Sequence, residues 1–159
     1  MNRWIASLFV LLSLPGFLPS ALAEAQATLK PKLLLVYWSS RDCPWCAYWE
    51  SSRSGMEHSL KSSKEFKKLT YRVVKNDRLA DPYIDSDYPP DIKWLKERVD
   101  RGDEKNPGRP GWVFYVNKVR VARFYGTKDW NSRILPEMKR LVTKYYADAQ
   151  PIVPRDAAR

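Results

Sequence analysis

The chain has 159 residues, a formal net charge of +10 from 28 Lys and Arg against 18 Asp and Glu, and only two cysteines. This length suits one domain with a single core, and the apolar and aromatic content excludes an intrinsically disordered protein. The basic residues are spread among acidic ones and form no nucleic-acid motif, so no nucleic-acid partner is expected.

The first 23 residues predict a cleavable signal peptide. The apolar run at residues 4–14 is shorter than the about 20 residues needed to span a bilayer. Residues 21–23 (Ala-Leu-Ala) have the small-x-small pattern of a signal peptidase site. An uncleaved interfacial anchor is the alternative. We therefore expect an exported, periplasmic protein, with one domain at residues 24–150 and a disordered tail at residues 151–159.

The first strand and helix of the mature chain follow closely on one another. Residues 33–38 (LLLVYW) form a short, continuous apolar run, which is the pattern of a buried strand. A polar turn is predicted at residues 39–42. A helical pattern begins at Cys43, and Pro44 suits its first turn, where the missing N–H costs nothing. Gly55 is expected to end or kink this helix.

The later elements follow from changes in periodicity and from turn residues. In chain order they are a helical piece at residues 62–69, a strand at 69–74, an irregular surface loop at 78–90, a helix at 91–99, a hairpin of 112–116 and 119–125 around Asn117-Lys118, and a helix at 130–146. A strand, a crossover helix and a second strand require a parallel pair, and the hairpin adds antiparallel strands. The predicted fold class is α/β, with a mixed central sheet and helices on both faces.

The two cysteines, Cys43 and Cys46, carry the clearest chemical signal. A disulfide between them closes a very short loop and removes little entropy from the unfolded chain, so it stabilises the fold poorly. A zinc site needs four ligands, and the chain has one histidine, His58. A c-type haem site needs histidine at the position of Ala47. What remains is a thiol pair where a buried strand meets the start of a helix.

This position favours the reactive form of a thiol. Unpaired backbone N–H groups at a helix N-terminus stabilise a thiolate. Cys43, at the exposed edge, is predicted to attack a partner disulfide, and Cys46 to resolve the mixed disulfide without a metal or organic cofactor. Arg41 and Arg109 are candidates to favour the anion and Asp42 to oppose it, although most surface charges have little effect.

Two segments carry a resemblance to a known family. Residues 33–50, with their Cys-Pro-Trp-Cys motif, resemble the active-site strand and helix of the thioredoxin superfamily. Residues 108–115 (GRPGWVFY), followed by a turn, a second strand and Gly126, resemble its second landmark, in which a cis-proline faces the two cysteines. The resemblance covers nearly all of the mature chain in element order and implies a thioredoxin-like fold.

The resemblance also implies which residues bind substrate. Pro110 is then the cis-proline and Arg109 the residue before it, and the family docks an extended substrate segment there by backbone hydrogen bonds. Trp45, between the cysteines, is expected either to shape the substrate-binding surface or to shield the sulfur atoms. The family's buried acidic residue on the first strand has no counterpart, because residues 36–38 are Val-Tyr-Trp.

The function implied by this resemblance is that of a periplasmic thiol–disulfide oxidoreductase acting on protein thiols. A reducing direction is favoured, because the chain lacks the Pro-His dipeptide and the large helical insertion of the family's oxidases. We expect a monomer that depends on a membrane electron donor. One alternative is a binding module that uses the pair as a redox latch or a Cu(I) site, with Met56 and His58 as the only obvious extra ligands. Another is a structural bridge without exchange activity.

Overall fold

The computed structural model describes residues 31–146, so the predicted signal peptide and tail lie outside the described residues. No helix within the described part is long and apolar enough to cross a membrane. The strands are β1 (Leu33–Ser40), β2 (Thr70–Asn76), β3 (Gly111–Val116) and β4 (Val119–Tyr125), and the α-helices are α1 (Pro44–Glu50), α2 (Met56–Ser62), α3 (Lys93–Asp100) and α4 (Leu135–Tyr146).

Within residues 31–146 the strands form one mixed sheet in the order β2-β1-β3-β4. β1 is parallel to β2 and antiparallel to β3, and β3 is antiparallel to β4. Asn117 and Lys118, which join β3 to β4, have positive φ angles of 50° and 67°. Two such residues in a row make a hairpin turn whose twist matches that of the strands. The predicted parallel pair, hairpin and mixed sheet are confirmed.

Helices α1, α2 and α4 cover one side of the sheet, which we call the helical face. Four large aromatic side chains form the centre of its core, with ring centroids of contacting pairs 4.4 to 5.9 Å apart. They are Tyr37, Trp49, Trp112 and Trp130, all of them buried. The predicted final helix is confirmed as α4, although a π-helical turn at Trp130–Ile134 precedes it.

The opposite side of the sheet, which we call the loop-covered face, packs under α3 and under an irregular segment. Trp38 is its largest side chain, and its ring contacts those of Tyr83 and Tyr88 at centroid distances of 5.1 and 5.7 Å. Residues 78–90 were expected to be a surface loop. The segment is irregular, with a short 3-10 turn at Asp85–Asp87, but both tyrosines are buried in this core. Single aromatic residues among Asp and Pro create no periodic pattern, so their burial cannot be predicted from the sequence.

Three local predictions were wrong. Gly55 does not end the first helix, because α1 ends at Glu50 and Gly55 is the N-cap of α2. The helical piece expected at residues 62–69 lies earlier, as α2, and only a 3-10 turn at Phe66–Lys68 follows it. Helix α2 buries one residue, Leu60, which is too little to give a helical period. Residues 39–42 were expected to be a turn, but β1 continues through Ser39 and Ser40, because both pair with β2.

Candidate active site

Cys43 lies between the end of β1 and the start of α1. Its backbone is extended, with φ −84° and ψ 110°, and it is the N-cap of the helix, with Pro44 at the first helical position. The N–H of Cys43 donates to the carbonyl of Ser40 at 3.4 Å, and the N–H of Arg41 donates to the carbonyl of Asn76 at 3.0 Å. These bonds fix the turn, so the sheet itself positions the first cysteine.

Cys43 and Cys46 form a disulfide, with their Cα atoms 5.2 Å apart. The N–H of Cys46 also donates to Cys43 Sγ at 3.1 Å. The sulfur of Cys43 is thus the side-chain acceptor for one of the N–H groups that the helix leaves unpaired at its start. In the oxidised form Cys43 is 2% exposed and Cys46 is 0% exposed. The expected exposed edge at Cys43 is therefore wrong for this form.

Trp45 projects from the first turn of α1 into solvent. It is 64% exposed, and its nearest aromatic neighbour is Tyr48, edge-on with 6.4 Å between ring centroids. Its indole is accessible to another molecule. Contact between Trp45 and substrate stays a prediction.

Pro110 lies at the same end of the sheet as the cysteines. The Arg109–Pro110 peptide bond is cis, as the resemblance implies. The next residue, Gly111, pairs with Trp38 near the end of β1, and a Cβ atom on Gly111 would lie 2.6 Å from the carbonyl oxygen of Gly108. Only glycine fits this close approach. Substrate binding at Pro110 stays a prediction.

The side chain of Arg109 binds the chain's own loop. Its guanidinium lies 4.1 Å from the centre of the Tyr83 ring, and Nε donates to the hydroxyl of Tyr83 at 2.7 Å. The two Nη atoms donate to the carbonyls of Leu79 and Asp81. The backbone of Arg109 stays beside Pro110, so the predicted docking role rests on its main chain. The sequence offered no signal for these contacts, which join segments 26 to 30 residues apart.

Residues 77–83, which we call the strap, are bound to the active-site turn as well. The hydroxyl of Tyr83 donates to the carbonyl of Ser39 at 3.0 Å. Burial raises the pKa of Tyr83 to about 12, with the hydrogen bond from Arg109 opposing the rise, so the hydroxyl keeps its proton at neutral pH. Arg41, a candidate to favour the thiolate, pairs with Asp77 of the strap at 2.8 Å. Asp42 accepts a hydrogen bond from the backbone of the strap.

A carboxylate on the active-site helix escaped sequence reasoning. Glu50 follows Cys46 by four residues and lies on the same side of α1. Its two oxygens accept hydrogen bonds from Ser39 Oγ at 2.8 Å and from Lys75 Nζ at 2.7 Å. The resemblance places the family's acidic residue on β1, whereas Glu50 lies on α1. The helical spacing from Cys46 is the signal that could have found it.

Within residues 31–146 there is no group of three or more His, Cys, Asp or Glu side chains arranged to hold a metal ion. Met56, one of the two extra ligands considered for copper, packs against the core of the helical face. His58 lies on the same helix, α2.

No protein-family model and no curated protein matches the chain. Several solved structures resemble it. The periplasmic thioredoxin SoxS from Paracoccus pantotrophus is 17% identical, with a TM-score of 0.46 over 71% of this chain and 98% of that one. A thioredoxin from Thermus thermophilus is 20% identical, with a TM-score of 0.40 over 82% and 85% of the two chains. Thioredoxin O2 from Arabidopsis thaliana is 14% identical, with a TM-score of 0.43 over 70% and 76%.

The fold assignment rests on the chain's own topology. A parallel β-α-β unit is followed by an antiparallel hairpin and a final helix, and helices cover both faces of the mixed sheet. The cysteine pair lies where the first strand passes into the first helix, at the end of the sheet that also holds Pro110. The chain therefore has a thioredoxin-like α/β fold with a Cys-x-x-Cys pair at the start of its first helix.

Proposed function

We propose that the protein is a thiol–disulfide oxidoreductase that reduces protein disulfides in the periplasm. The observation that carries the proposal is the hydrogen bond from the N–H of Cys46 to Cys43 Sγ at the N-cap of α1. A donor aimed at this sulfur stabilises its anion more than its thiol, and the thiolate is the nucleophile in disulfide exchange. The fold and the cysteine pair support exchange activity in general terms.

The proposed reaction has two steps. The thiolate of Cys43 attacks one sulfur of a substrate disulfide; a mixed disulfide forms, and the other substrate sulfur leaves with the electron pair of the broken bond and takes a proton. Cys46, after losing its proton, attacks Cys43 Sγ and releases the second substrate thiol. Two electrons pass to the substrate, and the protein is left with the Cys43–Cys46 disulfide seen in the structure.

Direction, compartment and partners form the finer part of the proposal. The signal-peptide pattern of the first 23 residues supports export. The Pro44-Trp45 pair between the cysteines differs from the Pro-His of the family's strong oxidases and favours reduction. A membrane electron donor is proposed to re-reduce the cysteines after each cycle. Trp45 and the main chain at Arg109 and Pro110 are proposed to bind the substrate polypeptide.

Insulin reduction by dithiothreitol tests the exchange activity. The wild-type protein is expected to accelerate the reaction, and Cys43→Ser to lower the rate to that of dithiothreitol alone. Cys46→Ala is the matched control, because it keeps the attacking sulfur and is expected to accumulate mixed disulfides with substrate. A Cys43→Ser protein as active as the wild type would remove the proposal.

Two further measurements test the proposed acidity of Cys43 and the proposed reducing direction. The alkylation rate of the reduced protein against pH is expected to show a Cys43 midpoint below the about 8.5 of a free thiol. A reducing role predicts a potential nearer the about −270 mV of thioredoxin than the about −120 mV of the strong periplasmic oxidase. A potential near the higher value would reverse the proposed direction and leave the exchange chemistry intact.

A further inference from the structure

The backbone of Leu79 connects the two loops of the active site. Its N–H donates at 2.6 Å to Oδ1 of Asp42, the residue immediately before Cys43. Its carbonyl accepts a hydrogen bond from Arg109, the residue immediately before Pro110. One residue of the strap is therefore bound to both landmarks of the active site at once.

The rest of the strap is held just as firmly. The side-chain amide of Asn76, at the end of β2, donates to the carbonyls of Arg78 and Asp81, both at 2.9 Å. Tyr83, at the far end of the strap, is buried and bridges Ser39 and Arg109 by its hydroxyl. Hydrogen bonds therefore hold the strap in the absence of a ligand, which lowers the ordering cost for a ligand that contacts it.

The side chain of Leu79 takes no part in this network. It is 45% exposed, although the backbone of the same residue is bound on both sides. Trp45 supplies a second exposed apolar group, two residues after Cys43 on α1. Two of the charged groups nearby have partners, since Arg41 pairs with Asp77 and the donors of Arg109 are used by the strap. Arg78 is also exposed, so Leu79 and Trp45 supply the apolar part of a surface that also carries charge.

We propose that the strap is a preformed wall of the substrate-binding surface and that Leu79 contacts an extended, apolar segment of the protein whose disulfide is exchanged. Arg109 is then a positioning residue, which holds Leu79 in place through its carbonyl. The inference rests on the proposed exchange activity and names the substrate class of the same site. A non-native protein offers such segments beside its disulfides, because its apolar residues are not buried in a core.

The test compares a polypeptide disulfide with a small one. For insulin, Leu79→Ser is expected to raise KM about fivefold with kcat unchanged. The exposed part of the Leu79 side chain, 45% of it, is available to the substrate, and the serine variant loses this apolar contact. For bis(2-hydroxyethyl) disulfide, which is too small to reach the strap, the rate is expected to match that of the wild type. Ile84→Ser is the matched control: Ile84 is 60% exposed, and its N–H is bound by Asp87 rather than by an active-site residue.

Arg109→Met tests the positioning role. It removes the donors to the strap and is expected to raise KM for insulin as Leu79→Ser does. Arg109→Lys, with one donor group, is a second variant in case the methionine protein does not fold, and its KM is expected to lie in between. The double variant Leu79→Ser/Arg109→Met is expected to have the KM of the single variant with the higher KM. Both changes remove the same contact, that between Leu79 and the substrate, so their effects should not add.

Each outcome decides between the two proposals. A wild-type protein inactive on both disulfides would defeat the proposed function itself. An active wild type whose KM for insulin is unchanged by Leu79→Ser, or is changed equally by Ile84→Ser, would defeat only the substrate-binding wall. Unchanged KM in the folded Arg109 variants would defeat the positioning role.

Discussion

The two faces of the sheet are covered in different ways. On the helical face, α1 and the π-helical turn before α4 bring Trp49 and Trp130 against Tyr37 and Trp112 of the sheet, and the contacts are between aromatic rings. On the loop-covered face, one helix and an irregular segment together cover the sheet. Tyr83 of this segment makes an apolar contact with Trp38 through its ring and hydrogen bonds through its hydroxyl.

This difference separates stability from substrate binding. Helices satisfy their own backbone, so the helical face depends on burial of large side chains. The backbone groups of an irregular segment pair with side chains, with other backbone groups or with water. The side chains that bind the backbone of the strap are Asp42, Asn76 and Arg109, all beside the active site. We therefore expect changes on the helical face to act mainly on stability, and changes in the strap to act also on substrate binding.

The largest expected effect is that of Trp49→Ala on the helical face. Trp49 is buried and its ring contacts three other aromatic rings, so its loss should lower the free energy of unfolding by about 3–5 kcal/mol. Urea unfolding measures this change. Trp45→Ala, on the same helix but exposed, is the control and should cost about 0.5 kcal/mol or less. Similar losses in the two variants would contradict the burial argument.

The next effect is that of Tyr83→Phe on the loop-covered face. The ring stays and the hydroxyl is lost, which leaves the Ser39 carbonyl and Arg109 Nε without their partner; about 1–2 kcal/mol of stability is expected to be lost. The KM for insulin should also rise, because Arg109 loses one of the contacts that orient it. Tyr88→Phe is the control, because the buried hydroxyl of Tyr88 has no hydrogen-bond partner among residues 31–146. This variant should leave the KM for insulin unchanged. Equal effects of Tyr83→Phe and Tyr88→Phe would show that the hydroxyl bridge has no special role.

The sequence predicts the helical face better than the loop-covered one. The apolar run before Cys43 and the spacing of Met138, Leu141 and Val142 mark β1 and α4, because burial on a regular element repeats with a fixed period. The place of the cysteine pair follows from the same local pattern. These features depend on neighbours within a few residues of each other, and so they can be read along the chain.

The strap and its contacts follow no such period. Leu79 meets Asp42 across 37 positions and Arg109 across 30, and the buried Tyr83 stands alone among polar residues. The side chain of Arg109 was considered for its charge near the sulfur atoms, whereas its donors bind carbonyls. Contacts of this kind depend on the assembled sheet, which brings the ends of β1 and β2 and the start of β3 together.

The smallest expected effects come from two ion pairs near the surface, one on each face. Arg72 donates to both carboxylate oxygens of Asp91 at 2.8 to 2.9 Å and holds the pKa of that carboxyl below its usual value. Arg140 does the same for the pKa of Glu137 on α4. A lowered folded-state pKa means that each pair stabilises the protein above the pKa of the unfolded chain, about 4, and loses this contribution as the pH falls through the folded-state value.

Asp91→Asn should therefore cost less than about 1 kcal/mol at pH 7, because both partners of the pair are partly exposed and water screens their attraction. The cost should shrink as the pH is lowered towards 2, and also in high salt. Glu137→Gln is the counterpart on the helical face, and its cost should also shrink at low pH, because protonation of the carboxyl breaks the same kind of arginine–carboxylate pair. Urea unfolding at pH 7 and at low pH measures both. Asp91→Asn could instead lower the free energy of unfolding much more than Glu137→Gln does, and keep this effect at low pH. That result would mean that the irregular segment shields its charges from water, and that the two faces differ in electrostatics as well as in packing.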